Sequence, residues 1–268
     1  ETIRALELGA FDFVTKPENY FEVRSNKFAD RLLDCLAKAT CCEPAVMDRL
    51  INKFEFARPV QKIPKKPGSV NATTQSCGKL VAIACSTGGP KALHTVLPRL
   101  PENLDAPILV VPHMPEGFTK SLADRLNELS RLYVKEAEDG EPLLKGTVYI
   151  AKGGSQMRVK RAPDGRHTIS ISEEPARHGL LPCADIMYES LVDTDYDITC
   201  VVLTGMGSDG TAGISQLYRN KNIYVIAQNE ETSIVYGMPR VVKEAGLVNE
   251  ILALDEISDA IIRNVGVR

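Results

Sequence analysis

Three stretches of the 268-residue sequence put a polar side chain where a buried apolar run stops. In "VAIACSTGGPKAL" (81–93), Ser86 and Thr87 end such a run and Gly88, Gly89 and Pro90 follow. In "VVPHMPEGFTKSLADRL", His113 stands between an apolar run and a helical pattern. In "VVLTGMGSDGTAG", Asp209 occupies the same kind of place within a glycine-rich turn. A serine, a histidine and an aspartate can supply a nucleophile, a base and a carboxylate that orients the base. If the three runs are parallel strands of one sheet, their carboxyl ends share an edge, which is where open α/β sheets place chemistry. The glycines around Asp209 let backbone approach a substrate and offer N–H groups to a developing oxyanion.

Each residue also has a purely structural reading. Ser86 can cap the helix that residues 91–97 could form, with Pro90 in its first turn. A histidine after a strand is often only a polar loop residue, and Asp209 can be an N-cap for the helix that follows it. His94 reads as a helix-surface residue, His167 as part of a hairpin, and His178 as a residue that could reach a cleft without any spacing that requires it. Other motifs fit poorly. No GxSxG elbow is present, and the order Ser, His, Asp differs from the hydrolase order Ser, Asp, His. "STGGPK" lacks the spacing of a phosphate loop. "GMGSDG" resembles a dinucleotide fingerprint, but no acidic residue clearly takes the ribose-binding part.

The elements that must position these residues follow from periodicity. Residues 80–84, "APILVVPHM" up to Pro112, "TVYIA", "ITCVVLTGM" and "IYVIAQ" read as buried strands. Helical patterns cover 116–129, with Phe118, Leu122 and Leu126 in phase, then 184–192, 211–218, 239–245 and 256–264. "MRVKRAPDGRHTISIS" reads as a hairpin turned by Asp164 and Gly165. Strands alternating with helices imply an α/β fold: a doubly wound, mostly parallel sheet with helices on both faces and an inserted antiparallel hairpin. Before it, "ETIRALELGA" is helical, "FDFVTKP" reads as a short strand, and 26–38 is a second helix with Phe28, Leu32, Leu33 and Leu36 on one face. One strand and two helices cannot bury a sheet, so this piece is not expected to stand alone. The Pro-, Lys- and Ser-rich stretch that follows reads as a linker.

Composition sets outer limits. The net charge of −3 gives no basic footprint for nucleic acid, and no apolar run is long enough to span a bilayer. The seven cysteines show no CxxC pair and no zinc-like spacing, so reduced, mostly buried thiols in a cytoplasmic protein are the expectation. No metal or organic cofactor is implied.

Taken together, "STGGPKAL", "PHMPEGFTKSLADRL", "GTVYIAKGG", "LTGMGSDGTAG" and "AQNEETSIVYGMPR" resemble the catalytic domain of the chemoreceptor methylesterases of bacterial chemotaxis, over residues 79–265. The resemblance implies a serine hydrolase that removes methyl groups from glutamate methyl esters on receptor helices and, in many members, deamidates receptor glutamines. Carried onto this chain, it gives Ser86 as nucleophile, His113 as base, Asp209 as orienting acid, and the N–H groups of Thr87 and Met206 as the oxyanion hole.

Upstream, "ALELGAFDFVTKP" resembles the end of a response-regulator receiver domain, with Lys16-Pro17 in the place of its phosphate-sensing lysine. The expected organisation is a receiver remnant at 1–42, a linker at 43–78 and a methylesterase domain at 79–268. The phosphoacceptor region is not in this sequence, so partnership with the chemotaxis histidine kinase is implied only for a longer protein. The remnant is expected to be loosely held, or ordered only by contact with the esterase, and uncoupled from it by the linker.

This chain departs from the family in three places: Ala84-Cys85 before the serine, Gln156 where a histidine is common, and "LPCAD" (181–185) in place of "RPSVD". None is expected to touch the triad, and the last two are expected to alter the mouth of the cleft. Two rival readings remain: a non-catalytic nucleotide- or phosphate-binding α/β module, and a receptor-docking adaptor without turnover.

Overall fold

Apolar runs without polar alternation form strands only where both faces are covered, and this sheet is covered on both. The computed structural model describes residues 1–8, 10–17, 27–40 and 78–268. Among these, seven strands pair in parallel: β1 (Lys79–Cys85), β2 (Ile108–Pro112), β3 (Tyr133–Glu136), β4 (Thr147–Ile150), β7 (Asp197–Val202), β8 (Ile223–Gln228) and β9 (Glu250–Leu252). Their order is β3-β4-β2-β1-β7-β8-β9. β5 (Gln156–Arg161) and β6 (His167–Ser172) form a separate antiparallel hairpin, with Gly165 at φ +83° in its turn.

Alternation along β1 divides the core. Val81, Ile83 and Cys85 join Leu93 and Val96 of α3 (Gly89–Val96), Leu122 and Leu126 of α4 (Phe118–Leu129), and Ile257 and Ile261 of α8 (Ile257–Val265). Leu80, Ala82 and Ala84 join Met187 and Tyr188 of α5 (Ala184–Ser190), Ile214 and Leu217 of α6 (Thr211–Asn220), and Met238 and Val242 of α7 (Met238–Glu244). The hairpin adds Met157, Val159 and Ile169 to this second layer. Each fully buried leucine or isoleucine contributes roughly 1.5–3 kcal/mol. The chain winds outward from β1 to β2 on one side and from β7 to β9 on the other, so the topological switch lies between β1 and β7. The loops after both strands meet at that edge, as the doubly wound reading requires.

Three local expectations need correction. Residues 11–17 are not a strand: among the described residues no strand pairs with them, and they run as irregular backbone. β3 and β9 were not expected. β3 is a short edge strand carrying Lys135 and Glu136, and β9 is three residues of half-exposed chain.

The N-terminal segment is seated on the first of these two core layers. Ile3 and Leu6 of α1 (Thr2–Glu7) are buried with Leu93, Leu97 and Leu122, and the rings of Phe13 and Phe118 lie 4.5 Å apart between centroids. Order by contact with the rest of the chain was one of the two expectations for this segment, and these are the contacts it would use. In α2 (Lys27–Thr40), the leucines at 32, 33 and 36 face solvent. Apart from Gly78, the expected linker lies outside the described residues, as do Cys41, Cys42 and Cys77. Cys85, Cys183 and Cys200 are buried free thiols, and Cys35 is half-buried.

Candidate active site

Ser86 sits in a turn tied down on both sides. Its N–H donates to Thr204 O at 3.0 Å and its carbonyl accepts from Gly89 N at 2.7 Å. Gly88 turns the chain at φ +80°, where a Cβ would also come within 2.6 Å of Ile234 Cδ1. Gly88 itself is the N-cap of α3 and no side chain caps that helix, so the capping reading of Ser86 fails. Across the switch point, a Cβ on Gly205 would lie 2.8 Å from Ser86 Cβ. Only glycine there lets the two loops meet.

His113 is held beside this turn by strand register: Cys85 pairs with Pro112, and the His113 N–H donates to Cys85 O at 3.0 Å. Ser86, Thr87 and His113 line a cavity of about 510 Å³. Among the described residues, the Ser86 hydroxyl makes no hydrogen bond, so serine and histidine share the cavity without a hydrogen bond between them. The imidazole is anchored from the other side, with Nε2 2.6 Å from Asp209 Oδ2. Both side chains are almost fully shielded from solvent.

Asp209 is not a helix cap, because α6 is capped by Gly210 and has no side-chain cap. Its Oδ2 also accepts from Ala184 N at 2.6 Å. Its Oδ1 accepts from Asp185 N, Gly210 N and Cys183 Sγ, each at 3.0 Å. Burial alone would raise this carboxyl, but the His113 bond and charge and the backbone donors outweigh it and hold it well below the usual carboxylate range. An ionised carboxylate can only accept, so the shared proton lies on His113 Nε2, and in the neutral imidazole Nδ1 carries the lone pair. The arrangement can accept a proton at Nδ1 and stabilise the resulting imidazolium.

Sequence reasoning missed the cradle behind Asp209. The segment 183–185 contributes three of its donors, and fully buried Gln156 braces that segment, accepting from Cys183 N at 2.8 Å and donating to Leu180 O at 3.2 Å. The departures at 156 and 183 therefore stand behind the triad: Cys183 touches its acid directly, where no contact was expected, and Gln156 braces the segment that does so. Asp185 itself accepts from Gly213 N at 2.7 Å. Burial raises the Asp185 carboxyl against the Gly213 bond, and the Asp209 charge adds to the rise. Cys183, Asp185 and Asp209 bring their possible ligand atoms within 4.8 Å of one another. The N–H and S–H donors pointing at Asp209 would face any cation placed there, so the donor set does not suit one. Lys91 of α3 was also missed. It is buried in the cavity wall, and desolvation lowers it to about 8.

The remaining candidates separate clearly. Thr87 and Met206 flank the Ser86–Gly205 contact, and among the described residues neither N–H has a partner. Buried Thr204 fixes this region, donating from Oγ1 to Thr87 O at 3.0 Å and accepting from Val235 N at 3.0 Å. His94 lies on α3, and His167 lies beside the Tyr196 ring. His178 adopts φ +53° in the loop whose next residues, Gly179 to Pro182, line the cavity, but its own side chain does not.

Comparison with known proteins gives the family. The family model described as CheB methylesterase matches residues 81–261. The protein-glutamate methylesterase/protein-glutamine glutaminase of Bacillus subtilis (strain 168) is 41% identical over 97% of this chain and 72% of its own length. The protein of the same name from Pyrococcus abyssi is 38% identical over 98% of this chain and 69% of its own. The crystal structure of the Thermotoga maritima CheB methylesterase catalytic domain superposes with a TM-score of 0.68 at 41% identity, covering 70% of this chain and 99% of that one.

Proposed function

This chain belongs to the CheB methylesterase family, and from that premise we propose how it works: Ser86, His113 and Asp209 act as nucleophile, base and orienting acid in acyl transfer. It is a protein-glutamate methylesterase and protein-glutamine glutaminase. Its substrates are glutamyl methyl esters and glutamine side chains on the helices of chemoreceptors.

His113 Nδ1 takes the proton of Ser86 Oγ as the oxygen adds to the ester carbonyl. The oxyanion rests on the Thr87 and Met206 N–H groups. The tetrahedral centre collapses, the C–O bond to the methoxy group breaks, and methanol leaves with the proton from His113. Water then adds to the acyl-enzyme with the same base, releasing a glutamate carboxylate and restoring Ser86. With a glutamine the leaving group is ammonia and the other steps are unchanged. Asp209 keeps the proton on Nε2 and stabilises the imidazolium.

The observation that carries this reading is the 2.6 Å contact of His113 Nε2 with Asp209 Oδ2 behind a cavity that also holds Ser86. Neither the anion-binding module nor the docking adaptor has a use for that buried pair. Methanol release from methylated receptor fragments tests the reading. The wild-type chain releases it and Ser86→Ala does not; release by the variant would overturn the assignment.

The domain organisation belongs to the same proposal: residues 1–42 as a receiver remnant, 43–78 as linker and 79–268 as the esterase, with the chemotaxis histidine kinase a partner only of a longer protein that carries the phosphoacceptor region. Free buried thiols fit a cytoplasmic location. Among the described residues, no helix is long and apolar enough to cross a membrane.

A further inference from the structure

We propose that Cys183 is a positioning residue for this hydrolysis: its thiol donates to Asp209 Oδ1 and so sets how strongly the other carboxylate oxygen holds the imidazole of His113. The inference rests on the triad reading above.

The geometry is specific. Cys183 is fully buried at the N-cap of α5, with extended backbone at φ −116° and ψ 129°. Its N–H is fixed by Gln156 Oε1, and its Sγ lies 3.0 Å from Asp209 Oδ1. Burial first, then the charge of Asp209, push this thiol up to about 12, so it stays protonated and acts as a donor throughout the working range. An S–H group is a weaker donor than a hydroxyl. Cysteine therefore withdraws less charge from the carboxylate than serine would, and more than alanine would.

A carboxylate relieved of less charge holds the imidazolium more tightly. Removing the thiol should make His113 harder to deprotonate, and replacing it with a hydroxyl should make it easier. Other titratable groups face the pair. Asp185 and Tyr188 approach Asp209 from α5, and Cys85 ends the neighbouring strand. Lys91, Glu116, Asp12 and Cys35 line the cavity. All are unchanged in the two variants, so comparing them isolates position 183.

The test is kcat/KM against pH on a small carboxylic ester for wild type, Cys183→Ser and Cys183→Ala. Alongside it, the His113 imidazole is titrated by NMR in the Ser86→Ala background. The acid limb should move to lower pH in the serine variant and to higher pH in the alanine variant, by about half a unit or more in each direction. The NMR midpoints should follow the same order. Should Cys183→Ala fold poorly, the near-isosteric serine variant and its NMR midpoint still decide the matter. A space-filling role would lower stability in one or both variants and leave the midpoints together, which would overturn the inference while leaving the triad intact. Turnover surviving in Ser86→Ala or His113→Gln would overturn the triad reading and this inference with it.

Discussion

His113 Nε2 lies 2.6 Å from Asp209 Oδ2, while the same carboxylate receives the N–H groups of Ala184, Asp185 and Gly210 and the thiol of Cys183. Asp209→Asn is therefore not a silent exchange of similar shapes. The amide must turn its NH₂ either toward His113, which forces the wrong tautomer, or toward backbone donors that then lose their acceptor. Turnover should fall on the order of 10⁴-fold. The unsatisfied donors should cost about 1–3 kcal/mol of stability, a drop of several degrees in Tm. Substituting His94, His167 or His178 should cost far less activity than substituting His113. A loss under roughly tenfold in Asp209→Asn would remove Asp209 from the mechanism.

The same carboxylate should leave a mark on acid stability. Its folded pKa lies below the unfolded value, so its contribution is complete above the ordinary carboxylate range and is lost as pH falls through the folded value. Asp185 has the opposite sign. Its raised carboxyl is best tolerated below the ordinary range, and its stabilising share is lost as pH rises through the folded value. Chemical denaturation from about pH 6 down to about pH 3 should show a fall in wild-type stability that is shallower in Asp209→Asn. Parallel curves would show that other carboxylates govern the acid limb.

Ser86 carries the nucleophilic role alone, so its removal should separate chemistry from folding. Ser86→Ala exchanges one small side chain for another in a turn held by backbone bonds, so Tm should stay within about a degree or two. Hydrolysis and labelling by a serine-directed fluorophosphonate should both disappear. Labelling that persists in the variant would point to a different nucleophile.

Gly205 offers a test that leaves every reacting group in place. A Cβ there would lie 2.4 Å from Met238 Sδ, 2.8 Å from Ser86 Cβ and 2.9 Å from Ser86 N. Methionine can yield, but the Ser86 backbone can do so only by moving the nucleophile. Gly205→Ala should thus lower kcat on the order of 10²-fold, the scale expected for misplacement by about 1 Å, while KM for a small ester changes little. Near-normal kcat would mean that the turn is more compliant than its hydrogen bonds suggest.

The parts of this architecture legible in the sequence are those that bury continuous apolar runs. β1, β2, β7 and β8 are nearly fully buried, and each reads as such a run. Because three of them are neighbours, the convergence of Ser86, His113 and Asp209 could be expected from alternation alone. The edge strands could not. β3 and β9 are short and half-exposed, and only their neighbours make them strands. The reverse error arose at residues 11–17, where strand-like residues pair with no strand among the described residues. The cradle of Asp209 was hidden for a different reason: its donors are mostly backbone N–H groups, which no side-chain pattern records, and all but Gly210 N arrive from 24–26 positions away in the chain.

The N-terminal segment supplies the last prediction. Phe11 to Thr15 line the same cavity as Ser86 and His113, with Leu6 and Ala10 beside them, and the Phe13 ring packs tilted against Phe118, centroids 4.5 Å apart. A receptor helix is about 10–12 Å wide with its side chains, so it cannot bring a glutamyl ester to Ser86 while this segment occupies the cavity rim. A small ester faces a lower barrier. The core itself does not depend on the segment, since the sheet begins at Lys79 and only Ile3 and Leu6 of α1 join the buried cluster. Removing residues 1–77 should therefore leave a folded enzyme whose turnover on methylated receptor fragments rises several-fold, with a smaller change on a small ester. Phe13→Ala in the whole chain should move activity in the same direction by loosening that contact. Measuring both substrates on all three proteins decides the point: equal rates would mean that the segment leaves the rim on its own, and loss of folding would mean that α1 is part of the core after all.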